Sequence, residues 1–533
     1  MPVYCEVLQS RYADSVTLMN AAREVRQLDK IEDAALVMGT DANKHLLKNA
    51  GMLTAEGNTA APDDMILVVS GGSAQLEGAA RLAKELLQRR TAESPEQSYR
   101  AAPRTLIHAL RKYPESNLAV VSVAGAYAAA EARTALAYGL DVLLFSDNVS
   151  LTDEIALKKE AVNAGLLLMG PGAGTSILNG AALGFANVVP HGVVGIVSAA
   201  GTGLQEVSVL LARSDAGVSQ AVGVGGRDLS DDVGGLMTFH ALDLLEKDED
   251  TRVLVVISKL PSSKVAKKVI EKLSVLSKPS VVIFMGPELD TPPVQRAAGK
   301  SVYKAATLQA AALAASELLA DRDPLGINQQ LSEEAVQLEK KARQAAQSVL
   351  ESNQGNSHGK FGRGLFSGGT LCEEAMRIWE TKLGPVWSNA PLHADNKLPN
   401  SLTCQEHTIL DLGEEEFTAG RPHPMIDNEL RLNRLMQEAQ DSSTALIQMD
   451  MVIGYGAHPD PASEFAPVVA RICKAAEKYD ALPVVCSVTG TEEDPQQYSL
   501  QRKQLEDAGA FVFESNAAAS LFSAAYLQHL AAV

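Results

Sequence analysis

Two stretches of this 533-residue chain repeat one another. Residues 193–316 and 364–533 carry five matching blocks in the same order. VGIVSAAGTGLQE (194–206) matches GLFSGGTLCEE (364–374): an apolar run, a Ser/Gly-rich turn, then Gly-Thr opening a helical pattern. Setting Thr202 on Thr370 places Glu206 on Glu374. VGVGGRDLSDDVGG (222–235) matches ILDLGEEEFTAGRPHPMID (409–427), and RVLVVIS (252–258) matches ALIQMDMVIG (445–454). KPSVVIFMG (278–286) matches LPVVCSVTG (482–490), and AAGKSVYKAATLQAAA (297–312) matches DAGAFVFESNAAASLF (507–522). Each block alternates a short apolar strand with a helical segment. The duplication therefore predicts two copies of one flavodoxin-like α/β domain, over 191–320 and 362–533. A helical linker over 321–361 joins them and ends in the Gly/Ser/Asn-rich ESNQGNSHGK.

The same βαβ rhythm runs through the rest of the chain. NLAVVSV (117–123), DVLLFSD (141–147) and GLLLMGP (165–171) read as buried parallel strands separated by helices 126–138 and 151–163. They predict a Rossmann-like domain over 104–190. Its strand ends, Val123-Ala124-Gly125, Ser146-Asp147-Asn148 and Gly170-Pro171-Gly172, form the edge where such sheets bind ligands. No GxGxxG opens the domain, so a dinucleotide is not indicated. Residues 1–100 read as a small α/β domain with strands at 3–9, 33–39 and 65–71, followed by a polar linker over 89–103.

The repeated turns suggest anion chemistry. A Ser/Gly-rich turn at a helix start exposes N–H groups and the positive end of the helix dipole. Ser198, Gly201 and Thr202 form one such turn; Ser367, Gly368, Gly369 and Thr370 form the other. Each is also readable as a cap with no ligand. Glu206 and Glu374, one turn into these helices, either orient a transferred group or complement the dipole. Gly225 and Gly226 precede Arg227, whose fork suits a carboxylate or phosphate. Gly420, Arg421 and His423 lie in the proline-framed loop GRPHPMID. His423 is readable as an acid/base group, an anion donor, or a surface histidine in a rigid turn.

Charge and composition narrow the function. Lys+Arg 47 against Asp+Glu 65 gives a net charge of −18, with no basic tract, which disfavours nucleic acid and anionic membranes. Five cysteines, none in a CxxC pair, predict reduced fillers rather than a disulfide framework or a metal site. No apolar run approaches a membrane span, and the first residues lack a signal-peptide core, so a cytoplasmic protein is expected.

The segments ESNLAVVSV, LLFSDNVS, LLLMGPGAGTSILNGAAL, GGRDLSDDVGG, GLFSGGTLCEEA and GRPHPMID resemble the FdrA family. More distantly they resemble the α subunit of succinyl-CoA synthetase. The resemblance implies a CoA-binding-type Rossmann-like domain at 104–190 and two succinyl-CoA-synthetase-type flavodoxin-like domains after it, with CoA as the candidate cofactor along residues 123–125, 146–148 and 170–172. It implies carbamoyl transfer of the oxamate carbamoyltransferase type, from carbamoyl phosphate to a small carboxylate, within a multi-subunit complex. The alternatives are an acyl-CoA synthetase whose nucleotide domain lies on another chain, and a non-catalytic subunit binding CoA or a small acid; a homo-oligomer is compatible with each. Catalysis would fall to Arg227, Glu206, Glu374, Arg421 and His423. Two departures stand out: no histidine occurs between His240 and His358, where the synthetase carries its phosphorylated histidine, and nothing resembles the ATP-grasp domain that supplies nucleotide in the synthetase, nor is there a Walker A motif.

Overall fold

The computed structural model describes residues 2–9, 15–40, 43–44, 47–48, 51–61, 64–92, 103, 105–285, 302–322, 326–352, 359–418, 422–473 and 482–532. Met1–His108, with Glu415–Pro422, forms one compact unit; Ala109–Glu414 with His423–Val533 forms another.

In the first unit, strands Val3–Leu8 and Ile31–Met38 both pair antiparallel with the central strand Met65–Gly71. The parallel rhythm expected along the chain thus stops short of this block. Every residue of Met65–Gly71 is buried because both faces are covered. Leu67 and Val69 pack under helices Ser15–Arg26 and Leu76–Ala92, and Ile66 and Val68 meet Leu47, Met52 and Ala60. The second helix takes up the start of the expected 89–103 linker.

In the second unit, Leu118–Val121, Asp141–Leu144 and Leu168–Met169 form a three-stranded parallel sheet. Helices Gly125–Ala137 and Leu151–Ala164 connect them. A hairpin, Thr175–Leu178 and Ala181–Gly184, then turns at Asn179-Gly180, both with positive φ, as a two-residue hairpin turn requires. It joins the edge of the first repeat's sheet.

The two repeats share one topology. In the first, the parallel strands run Val218–Gly223, His191–Ser198, Val253–Ser258, Ser280–Phe284, Val302–Lys304. In the second they run Thr408–Asp411, Phe361–Phe366, Thr444–Val452, Val484–Thr489, Phe511–Phe513. Both give the order 2-1-3-4-5 of a flavodoxin-like sheet. Their helices merge into one core that holds Val194, Ile196 and Leu204 of the first copy with Trp379, Phe522 and Tyr526 of the second. Helix Ile327–Ser352, from the linker, packs along helix Asn516–Ala531 and buries Leu338, Ala342 and Ala346. That part of the linker is therefore a structural element; the following 353–358 lies outside the described residues.

Two glutamates tie the copies together. Glu206 Oε1 accepts from the Asn516 N–H at 3.0 Å and Oε2 from the Thr489 hydroxyl at 2.6 Å. Glu374 Oε1 accepts from the Leu308 N–H at 2.7 Å and Oε2 from Asn516 Nδ2 at 2.9 Å. Leu308 and Asn516 are the first residues of the final helices of copy one and copy two. Each copy thus supplies the carboxylate that satisfies the other copy's helix start. All four carboxylate oxygens are engaged and both side chains are buried, so the catalytic roles expected for Glu206 and Glu374 give way to a structural one.

Burial pushes both carboxyls up, Glu374 to about 7, against the opposing pull of their hydrogen bonds. A carboxyl raised on folding holds a proton the unfolded chain has lost. Its stabilising contribution is therefore full below the ordinary Glu pKa and falls away as pH rises through 7. The loss for Glu374 is on the order of 3 kcal/mol. Glu374→Gln cannot ionise, so its thermal unfolding midpoint should fall less between pH 5 and pH 8 than that of the wild type. Equal slopes in scanning calorimetry would contradict this assignment.

Candidate functional site

The starts of helices Gly201–Arg213 and Gly369–Leu383 meet head to head. Thr370 N–H donates to Thr202 Oγ1 at 3.3 Å. A Cβ on Gly203 would lie 2.9 Å from Thr370 Cγ2, and one on Gly368 would lie 2.8 Å from Thr202 Cγ2. Only glycine permits this approach from both sides. The two repeated turns thus lie together, with Gly201 exposed, Thr202 and Gly369 half-buried and Thr370 buried.

The turns leading into these helices are closed by the protein itself. In copy two, Ser367 N–H and Gly368 N–H each donate to the Asp450 carboxylate at 2.8 Å, and Ser367 Oγ donates to it at 3.1 Å. Arg431 Nη2 pairs with the same carboxylate at 2.9 Å. In copy one, Ala200 N–H donates to Ser198 Oγ at 3.1 Å, whose hydroxyl returns to Ala200 O. Ser198, Ser367 and Gly368 therefore serve their own turns rather than an external anion. The N–H groups of Gly201, Thr202 and Gly369 make no hydrogen bond to a described residue.

A charged cluster flanks the junction. Lys259 directly follows strand Val253–Ser258, and Asp411 ends strand Thr408–Asp411. A Cβ on Gly369 would lie 2.6 Å from Lys259 Nζ and 2.5 Å from Asp411 Oδ2, so both groups reach the first residue of that helix. Burial pushes Asp411 up to about 6, with Lys259 pulling the other way. Burial opposes the Lys259 charge, but Asp411, Glu373 and Glu414 outweigh it and hold the ammonium above its usual range. The sequence reading passed over both residues. Their signal was present: each is a charged residue at the carboxyl end of an apolar parallel strand, where such sheets do their chemistry.

His423 joins the same side. Its Nδ1 accepts from Met425 N–H at 3.2 Å, which fixes the neutral ring with its proton on Nε2. A Cβ on Gly413 would lie 2.9 Å from that Nε2. Burial, then Arg431, pulls its pKa down to about 4. The ring packs 5.8 Å from Phe185 between centroids. At neutral pH it is a hydrogen-bond donor, not a base. Gly420 and Arg421 lie outside the described residues.

The Rossmann-like edge leads to this junction. Helix Gly125–Ala137 starts at Ala124 with no side chain capping it, beside exposed Val123, Asp147, Asn148 and Gly172. Ser146 and Pro171 are buried beneath them, and Gly170 is packed on Leu144. A Cβ on Gly225 would lie 2.7 Å from Pro171 O, and one on Gly226 would lie 4.0 Å from Ala199 O. The loops thus run continuously from the Gly125 helix to the Gly201 helix. Arg227 holds Glu154 and the Val149 carbonyl, each at 2.8 Å, with its guanidinium half exposed. Beneath it, buried Lys158 bonds Glu154, Asp228 and the Val224 carbonyl, while Asp228 caps helix Leu236–Lys247 through Met237 and Thr238. This network fixes the Rossmann-like block to the first repeat.

Comparison with known proteins places this geometry in a family. Family models described as CoA-ligase, CoA binding domain, and AllF, heavy metal-associated domain match residues 365–526, 191–286 and 1–103. The protein YahF of Escherichia coli (strain K12) is 40% identical over 532 residues, 99% of either chain. The chain belongs to the YahF-like FdrA family. Within that family it is an acyl-CoA-synthetase-like protein. Succinate–CoA ligase [ADP-forming] subunit alpha 2 of Archaeoglobus fulgidus is 29% identical over 188 residues, 34% of this chain and 62% of that one. The solved structure of ATP citrate lyase from Methanothrix soehngenii, in complex with citrate and coenzyme A, aligns at 20% identity and a TM-score of 0.30 over 41% of this chain and 37% of that one. The CoA-binding match falls on the first repeat, whereas the resemblance read from the sequence put that domain at 104–190.

The region matched by the heavy-metal-associated family has a single cysteine in its sequence. Cys5 stands alone there, its Sγ 3.4 Å from where a Cβ on Gly57 would lie, and burial raises its pKa. Among the described residues no three His, Cys, Asp or Glu side chains gather to hold a metal ion. Among them, too, no helix is long and apolar enough to cross a membrane.

The occupied turn of copy two gives a test. Asp450→Ala leaves Arg431 buried without its carboxylate and should cost about 3–5 kcal/mol. It also empties a seat of two N–H groups and a hydroxyl. Sulfate should raise the thermal midpoint of Asp450→Ala by several degrees more than that of the wild type.

Proposed function

We propose that this FdrA-family chain is the CoA-handling subunit of an acid–thiol ligase, with nucleotide activation supplied by another chain. The observation that carries the reading is the row of packed loops from the uncapped Gly125 helix, by way of Gly225 and Gly226, to the paired starts of the Gly201 and Gly369 helices. The matches to CoA-ligase and CoA-binding families support it.

The residues suit that chemistry. The Gly125 helix start and the half-exposed face of Arg227 would hold the phosphates of CoA, and exposed Val123 and Tyr127 offer apolar surface beside them. At the junction, the N–H groups of Gly201, Thr202 and Gly369 and the Nε2–H of His423 would stabilise negative charge as the thiol attacks an activated carboxyl. Asp411, with its pKa near 6, is placed to take the thiol proton, and Lys259 to balance the charge of the departing group. The lack of a histidine between His240 and His358 favours direct transfer over a phosphohistidine relay.

That same absence keeps a second reading in view. Carbamoyl transfer, implied by the FdrA resemblance, needs no relay and would use the same donors for carbamoyl phosphate. Calorimetric titration separates the two: saturable CoA binding supports the ligase reading, and carbamoyl phosphate binding without CoA binding supports the transferase.

Ala124→Asp sharpens the test. An aspartate at this vacant N-cap should stabilise the helix by about 1 kcal/mol. It also puts a carboxylate where a CoA phosphate would sit. The thermal midpoint should hold or rise while CoA affinity falls at least tenfold; unchanged CoA affinity would rule out this phosphate seat.

A further inference from the structure

A cavity of about 430 Å³ lies at the other end of the Gly201 helix, where the two repeats and the linking helix meet. At 1.5 Å per residue this end, at Arg213, is roughly 17 Å from the Thr202–Thr370 junction. Its apolar wall is built from Leu210 and Leu313 of copy one, Leu338 of helix Ile327–Ser352, and Val512 and Phe513 of copy two. Exposed Gln337, Lys341 and Glu514 stand at its mouth.

Its charges are unevenly matched. Arg502 is paired with Glu506 at 2.8 Å and Glu514 at 3.3 Å. Glu334 accepts from Gln309 Nε2 at 2.9 Å. Arg213 instead bonds three neutral carbonyls, those of Glu514, Val488 and Gly490, and stacks on Tyr498. Lys341 makes no hydrogen bond or ion pair with any described residue. Arg213 and Lys341, neither paired with a carboxylate, thus line this cavity beside Arg502, Glu334 and Glu514, whose charged groups are already engaged, in a chain of net charge −18. The duplication did not dictate this: the position matching Arg213 in copy two is Thr381, whose hydroxyl bonds its own helix at the Arg377 carbonyl.

We propose that this cavity is a second ligand site, distinct from the CoA path, which takes a small organic anion: a phosphate or carboxylate on Arg213 and Lys341, with an apolar body against Leu313, Leu338 and Phe513. Its walls come from both copies, so an occupant draws them together at the Glu206 clamp. Ser515, which lines the cavity, caps the helix that Glu206 holds and donates to Gln309 of copy one at 2.8 Å. The site therefore suits an effector rather than a reactant.

The experiment is calorimetric titration of the full chain with phenyl phosphate and with inorganic phosphate. Phenyl phosphate should bind saturably, and inorganic phosphate at least tenfold more weakly. Lys341→Glu, at an exposed position, should weaken phenyl phosphate at least tenfold and leave CoA titrations unchanged. Val512→Trp, which fills the cavity, should abolish phenyl phosphate binding. No binding by the wild type, equal binding of the two phosphates, or full affinity in Lys341→Glu would each overturn the proposal.

Discussion

The second unit depends on an exchange of carboxylates between its two halves. Glu206 and Glu374 each stand one turn into a helix of one copy and satisfy the first N–H of a helix in the other. Asn516 touches both, through its backbone N–H and its amide. Buried helix starts need acceptors, and water is excluded here, so the acceptors come from the partner copy. In the same core Thr202 and Thr370 meet head to head, which sets where unpaired helix-start donors lie. The candidate active site is a consequence of how the duplicated halves close on each other.

The two copies have the same strand order but different chemistry. The strand position that carries Asp450 in copy two carries apolar Ile257 in copy one. Copy two thus fills its own turn with a carboxylate, while copy one closes its turn with Ser198. The charged side chains at the junction come from both copies, Lys259 from one and Asp411 from the other. Divergence of a duplicated domain has turned one internal symmetry axis into an asymmetric site. The Arg213 and Thr381 pair shows the same divergence at the far end of the helix.

Much of the fold could be read from residue order alone. Five blocks in one order marked the duplication, and the apolar runs marked the strands. The antiparallel first unit escaped because a strand buried on both faces, MILVVSG, has the same continuous apolar pattern in a parallel or an antiparallel sheet. The candidate site was legible in its glycines and threonines, which must approach another backbone closely. It was not legible in its charges. Glu206 reads as reactive until its partners are known, and they lie 283 and 310 residues away. His423 reads as a base until the Met425 N–H settles its tautomer.

The sequence by itself determined the family, the doubled flavodoxin-like topology and the Gly-Thr starts of two helices. Those features depend on local periodicity and on turns that only certain residues can make. The tertiary structure alone decided which carboxylates are structural, which turn is already filled and which lysine and aspartate reach the junction. Those outcomes depend on burial and on contacts between residues hundreds of positions apart, and no local pattern records them.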